Sequence, residues 1–142
     1  IGEGRADEVH STILKILKNC LYCTVPIMIF VSIFPLQMAR IYTDDLNLAQ
    51  LVIPSIYVIC LGTIFQGIGN AYFEAVSGTG NTSAALYLET GILVLYVAFV
   101  WGMTHYTTRV ELVWLAEILY GVMFGIFCGI YIKRANWNKK RI

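Results

Sequence analysis

Charged side chains are scarce in this chain. Asp, Glu, Lys and Arg together make up 13% of its 142 residues, whereas soluble domains average about 25%. Apolar residues make up 58%, and the few charges lie between long apolar runs. This composition is typical of an integral membrane protein. The net charge of +1 gives no electrostatic basis for a nucleic-acid partner.

The motifs of common enzyme and metal sites are also missing from the sequence. It contains no Ser/His/Asp arrangement, no dinucleotide-binding fingerprint and no glycine loop ending in Gly-Lys-Ser/Thr. Cys20 and Cys23 form a C-x2-C motif, but they lie in an apolar run without the second pair of a zinc site. We therefore expect no enzymatic activity, no metal centre and no cofactor.

Four apolar segments are long enough to cross a bilayer, which takes about 20 helical residues. Such segments fold as helices because lipid offers no partner to backbone polar groups. Period-2 alternation is absent, which argues against a membrane barrel. We predict an all-α, polytopic membrane protein with helices at residues 12–39, 47–76, 83–103 and 110–133, followed by a basic tail at 133–142.

The basic residues predict the orientation of these helices. Eight of the ten Lys and Arg residues lie before the first apolar run, Cys20–Ala39, or after the fourth, Leu112–Ile132. Only Arg40 and Arg109 lie on the other side. Four crossings place both ends of the chain on one side of the membrane. The positive-inside rule makes that side cytoplasmic. The connector Ser77–Thr82 then also faces the cytoplasm.

That connector is a glycine-containing turn between the second and third apolar runs. Gly78 or Gly80 can end a helix, and a following Asn, Thr or Ser can cap the next one. We expect the cap at Asn81, Thr82 or Ser83. The turn is therefore expected to connect two antiparallel helices and not to bind phosphate.

Proline and glycine indicate two further features of the helices. Pro26 removes a backbone hydrogen bond inside the first crossing, so we expect a kink there. In the fourth crossing Gly121, Gly125 and Gly129 are spaced by four residues. Glycines at this spacing form a groove that another helix can approach closely.

Polar side chains recur every four residues in the second crossing. Gln66, Asn70 and Glu74 follow Gly62 at this spacing, which predicts a shared helix face running from mid-membrane to the cytoplasm. Exposure of these groups to lipid is costly. The face therefore either packs on another helix through hydrogen bonds or lines a water-filled path.

Three glutamates lie within or near the apolar runs, and each is a candidate for the transport pathway. Glu74 lies about one turn from the cytoplasmic connector, and Glu89 and Glu117 lie roughly 9–10 Å inside opposite membrane faces at 1.5 Å per residue. Because their depths differ, Glu89 and Glu117 are not expected to form a carboxylate pair. For Glu89 and Glu117 a structural hydrogen bond is the alternative to a role in transport, and for Glu74 the alternative is a carboxylate at the membrane interface.

Several segments resemble the MATE multidrug and toxin extrusion transporters. Phe73–Thr82 is similar to the end of that family's tenth helix and its G-x-G-[DN]-T turn, and Gly2–Val9 is similar to the loop after the eighth. Trp114–Glu117 and the basic Lys133–Arg141 resemble the last helix and the terminus. The resemblance implies that the chain is the final four of twelve helices, a C-terminal fragment that is not functional alone.

The resemblance also implies a function. The family's members are two-lobed antiporters of the plasma (inner) membrane that export cationic or amphipathic compounds in exchange for Na⁺ or H⁺. The implied partners are such compounds, the bilayer and the helices missing from this chain. Some members carry a cation-binding carboxylate within the tenth helix, where this chain has Gln66 and Asn70. The coupling ion therefore stays open.

Three alternatives differ from this interpretation. A lipid-linked oligosaccharide flippase of the same superfamily would share the architecture but require a more cationic cavity. A small four-helix multidrug exporter would require a glutamate in its first crossing, and Cys20–Ala39 contains no acidic residue. A purely structural membrane subunit would not need the polar face of the second crossing.

Overall fold

The computed structural model describes residues 9–134, and every regular element within them is an α-helix. Four stretches are long and apolar enough to cross a membrane, which confirms the all-α, polytopic prediction. In chain order the helices are α1 (Val9–Ile33), α2 (Pro35–Arg40), α3 (Leu46–Leu51), α4 (Ile53–Ser77), α5 (Thr82–Tyr106), α6 (Val110–Val113) and α7 (Leu115–Arg134).

The first predicted helix is divided in the structure. Instead of one helix at 12–39, α1 ends at Ile33 and α2 begins at Pro35. Proline disfavours helical geometry in the residue before it, and Phe34 accordingly has φ −119° and ψ 48°. Pro26 lies inside α1 without ending it, and a kink at this residue stays a prediction.

The second and fourth predicted helices are also divided. Val52 separates α3 from α4 where 47–76 was expected to be continuous. Pro54 explains this break because it has no N–H to donate to the carbonyl of Gln50. Trp114 separates the single turn α6 from α7. From residue 135 onward the predicted basic tail lies outside the described residues.

Helix α4 is at the centre of the packing, with α7 as its main neighbour and α1 as the second. A Cβ atom added to Gly121 would lie 2.5 Å from the backbone nitrogen of Gln66. One added to Gly69 would lie 2.9 Å from the Cβ of Phe124 and even closer to the carbonyl oxygen of Gly121. The two backbones therefore touch at Gly69 and Gly121.

The three glycines of the groove predicted on α7 differ in how closely other described residues approach them. Gly121 makes the close approach to α4. An added Cβ at Gly125 would find no atom within 4 Å, and one at Gly129 would only reach the ring of Tyr72 at 3.9 Å. One glycine of the series thus packs tightly among residues 9–134.

The apolar core lies toward the Ser77–Thr82 end of the spans. Val76 of α4 and Cys128 of α7 are fully buried there. The ring of Phe124 packs edge-on against Phe73, with centroids 4.9 Å apart, and against Tyr120 at 4.7 Å. The Phe73–Phe124 contact joins α4 to α7 in the half of the interface that follows the glycine contact, and the Tyr120–Phe124 contact lies within α7.

The connecting turn has the conformation expected from its sequence. Helix α4 ends at Ser77, and Gly80 has a positive φ of 75°. Asn81 caps α5, with its side-chain oxygen accepting from the N–H of Ala84 at 3.3 Å. Its side-chain nitrogen donates to the hydroxyl of Tyr131 at 2.8 Å, which ties the turn to α7.

Replacement of Gly121 by Ala should destabilise the protein because the new methyl group overlaps the backbone of α4. Overpacking of this kind costs about 1–3 kcal/mol. The matched control is Gly125→Ala, on the same helix face one turn later. We expect a lower free energy of unfolding in detergent micelles for Gly121→Ala alone, and equal effects of the two changes would contradict the close approach.

Replacement of Asn81 by Ala should remove both the cap of α5 and the bond to Tyr131. Loss of the cap costs about 1 kcal/mol, and loss of a polar contact between membrane helices costs about 0.6 kcal/mol. Tyr131→Phe removes only the second contact. Denaturation of both variants in mixed micelles should show the larger loss for Asn81→Ala.

Candidate functional site

Glu117 lies in the first turn of α7, within the last membrane-crossing stretch. It is seven residues from the start of that stretch, or about 10 Å along a helix. A Cβ atom added to Gly62 would lie 3.2 Å from the Cβ of Glu117. The absence of a side chain at Gly62 therefore makes room for this carboxylate against α4.

Two neutral side chains from two other helices donate hydrogen bonds to Glu117. The hydroxyl of Tyr96 on α5 donates to Oε1 at 2.9 Å. The side-chain nitrogen of Gln66 on α4 donates to Oε2 at 3.4 Å, a longer and weaker bond. We refer to Gln66, Tyr96 and Glu117 as the Glu117 cluster. All three residues are half-buried, and the cluster joins three membrane spans.

The Glu117 cluster contains no basic residue. Among residues 9–134, the ion pair that forms joins Arg109 to Glu111 at 2.7 Å, in the connector before α7. The ring of Tyr120 lies next to that of Tyr96, with centroids 5.3 Å apart. The carboxylate of Glu117 is therefore surrounded by hydroxyl, amide and aromatic groups and has no cationic partner within the described part of the chain.

The polar face predicted on α4 is divided into two parts. Gly62 and Gln66 face α7, whereas Asn70 and Glu74 are exposed. A helix turns about 100° per residue, so positions four apart drift by roughly 40° each time. Glu74 is therefore rotated far enough around α4 to lie off the side that packs against α7. Gln66 packs through a hydrogen bond, as the first sequence interpretation expects. A water-filled path along the exposed Asn70 and Glu74 stays a prediction.

Glu89 lies on α5 and faces an open depression of about 500 Å³ near the connecting turn. Ser77, which extends the polar face of α4, lines the same depression. The structure therefore brings Glu89 close to the end of the polar face. The remaining lining residues are Phe73, Thr82, Ser83, Ala85 and Leu86.

Glu89 and Glu117 do not form a pair. The α5 residue that reaches Glu117 is Tyr96, seven residues after Glu89 and so about 10 Å further along the helix. Sequence reasoning did not select Tyr96, because tyrosine is common at membrane boundaries. Its place near the middle of α5, far from either boundary, is the signal that could have identified it.

Metal ligands do not gather in the described residues, where no three His, Cys, Asp or Glu side chains come together. The four cysteines are free, and Cys60 and Cys128 are buried. The C-x2-C motif is divided between a half-buried Cys20 and an exposed Cys23. The sulfur of Cys20 lies 3.9 Å from the hydroxyl of Thr24.

Comparison with known protein families identifies a match. The family model MatE matches residues 1–101, which include the Ser77–Thr82 turn and most of α5. Helix α7 and the similarity noted at Trp114–Glu117 lie outside the matched range. No curated protein and no solved structure matches the chain.

A double-mutant cycle of Tyr96→Phe and Glu117→Gln should reveal the contact between these side chains. Hydrogen bonds between membrane helices contribute about 0.6 kcal/mol on average and up to about 1.7. We expect a coupling energy in that range when unfolding is measured in mixed micelles. Asp44, exposed in the connector between α2 and α3, supplies the control. Tyr96→Phe combined with Asp44→Asn should be additive, and additivity of the first pair would contradict the contact.

Proposed function

Because the chain belongs to the MatE family of membrane transporters, we propose that it forms the C-terminal part of a twelve-helix, two-lobed antiporter. The transporter exports cationic or amphipathic compounds in exchange for Na⁺ or H⁺. It resides in the plasma (inner) membrane, with both ends of this chain in the cytoplasm. Its partners are these compounds, the bilayer and the remaining helices of the transporter.

The observation that carries this proposal is the Glu117 cluster. A carboxylate within a membrane span costs at least about 2.5 kcal/mol on insertion scales, and such groups commonly mark ion or substrate pathways. Glu117 is contacted by α4 and α5 as well as by its own helix. Alternating access requires packed spans to move against one another around a binding site. A carboxylate shared by three spans suits that requirement.

The pathway for the exported compound is assigned to the open side of α4. Asn70 and Glu74 are exposed there, and Ser77 and Glu89 line the depression at the connecting turn. A carboxylate at each of two levels is suited to a positively charged compound. Lys15 and Lys18 lie in the first turns of the span Ser11–Ile33, and the other described Lys and Arg side chains lie at span ends or in connectors. None of them lines the depression or contacts Glu117, so no observation favours the cationic cavity of a flippase.

The test uses the transporter that contains this chain, expressed in cells loaded with a fluorescent cationic dye. Replacing Asn70 by Leu or Glu74 by Gln should slow dye efflux roughly tenfold, which corresponds to about 1.4 kcal/mol. The physical reason is loss of polar or negative groups along the path of a cation. Asp44→Asn, which changes an exposed acid in an outer connector, is the matched control.

The outcomes separate the pathway from its alternatives. Undiminished efflux in both α4 variants at equal surface expression would remove this side of α4 from the pathway. An unchanged dye level in cells with and without the transporter would contradict the export of cationic compounds.

A further inference from the structure

We infer that Glu117 is a proton-binding site of the transporter, with Gln66 and Tyr96 as partners that can satisfy its carboxyl group in both protonation states. The inference rests on the proposed antiport function and deepens it by naming the ion and the group that binds it. What carries it is the chemistry of the two side chains that contact Glu117.

Both partners of Glu117 can reverse the direction of their hydrogen bonds. With Glu117 charged, Tyr96 and Gln66 donate to its two oxygens. A protonated carboxyl has one O–H donor in place of an acceptor. A tyrosine hydroxyl can turn to accept that hydrogen, and a glutamine amide can turn to present its oxygen. In either protonation state, both carboxyl oxygens of Glu117 can therefore keep a hydrogen-bond partner.

A lysine or arginine partner would not allow the hydrogen bonds to Glu117 to reverse direction. Lysine and arginine only donate, so they hold a neighbouring carboxylate in its charged form. Glu117 forms no ion pair within residues 9–134. Its charged form relies on two neutral donors inside a membrane span, where a charge is costly. No cationic side chain within residues 9–134 therefore holds Glu117 in its charged form.

The other acidic side chains on the neighbouring helices lie away from the Glu117 cluster or are paired elsewhere. Glu74 on α4 is eight residues beyond Gln66, or about 12 Å along that helix. Glu89 on α5 is about 10 Å from Tyr96 by the same rise. On α6, Glu111 is paired with Arg109. On α7, the ring of Tyr120 stacks edge-on against that of Tyr96.

The proposed step is a reversible proton transfer. A proton from water on the outer side forms an O–H bond with one carboxylate oxygen of Glu117, and the charge of the cluster changes from −1 to zero. Release to water on the cytoplasmic side breaks that bond and restores the charge. The position of Glu117, about 10 Å from the outer end of its span, suits entry from outside. No oxidation or reduction takes place.

The experiment uses the complete transporter in proteoliposomes with a labelled organic cation. Uptake driven by a proton gradient, uptake driven by a sodium gradient and exchange of labelled for unlabelled cation are each measured from pH 5 to 9. Glu117→Gln should lose proton-driven uptake by at least tenfold, because its amide neither binds nor releases a proton. Its exchange rate should also vary less with pH than that of the wild type.

Tyr96→Phe serves as the second variant and does not alter the acid. It removes one donor to the charged form of Glu117, so the midpoint of the pH profile should move to higher pH. If Glu117→Gln fails to assemble, the shift in the pH profile of Tyr96→Phe tests the proton site by itself. Asp44→Asn, outside the spans, should match the wild type in every measurement.

The outcomes distinguish the two proposals. No cation exchange by the wild type would overturn the antiport function itself. If the wild type exchanges the cation but its uptake is driven only by a sodium gradient, the assignment of the proton site is overturned and antiport stands. The same conclusion follows if Glu117→Gln retains proton-driven uptake. An unshifted profile for Tyr96→Phe would likewise overturn the role of the cluster.

Discussion

In a bilayer, helices gain little from the hydrophobic effect when they associate, because lipid tails are as apolar as the side chains they replace. Close packing and polar contacts must hold the spans together instead. In this chain α4 and α7 touch through Gly69 and Gly121, where a methyl group has no room. The same approach brings Gly62 against Glu117 and places Gln66 within reach of the carboxylate. The polar cluster thus depends on the glycine contact.

Helix α5 is attached to α7 by polar contacts at two levels. Near the connecting turn, Asn81 donates to Tyr131. At mid-membrane, Tyr96 donates to Glu117. The first contact joins an amide and a hydroxyl, whereas the second involves a carboxyl group. A change in the charge of Glu117 therefore acts on one attachment of α5 and leaves the other in place.

The sequence was sufficient for the features that depend on local chemistry. Long apolar runs predict the four spans, and the glycines and Asn81 predict the end of α4 and the start of α5. The breaks at Phe34 and Val52 follow from proline geometry, but the apolar runs conceal them. Glu117 could be selected as an isolated acid. Its partner Tyr96 could not, because that contact depends on how α5 rotates against α7, which periodicity does not determine.

The division of the polar face on α4 has a consequence for the side that stays open. Gln66 is satisfied by α7, but Asn70 and Glu74 are exposed on the surface formed by residues 9–134. Asn70 would lack hydrogen-bond partners in lipid, and the Glu74 carboxylate, about one turn from the end of α4, is favourable only where water or protein reaches it. The favourable surroundings for this side of α4 are therefore other protein or water. Since the opposite side is already packed against α7, the open side is where further helices of a transporter, or an aqueous path between them, would meet this chain.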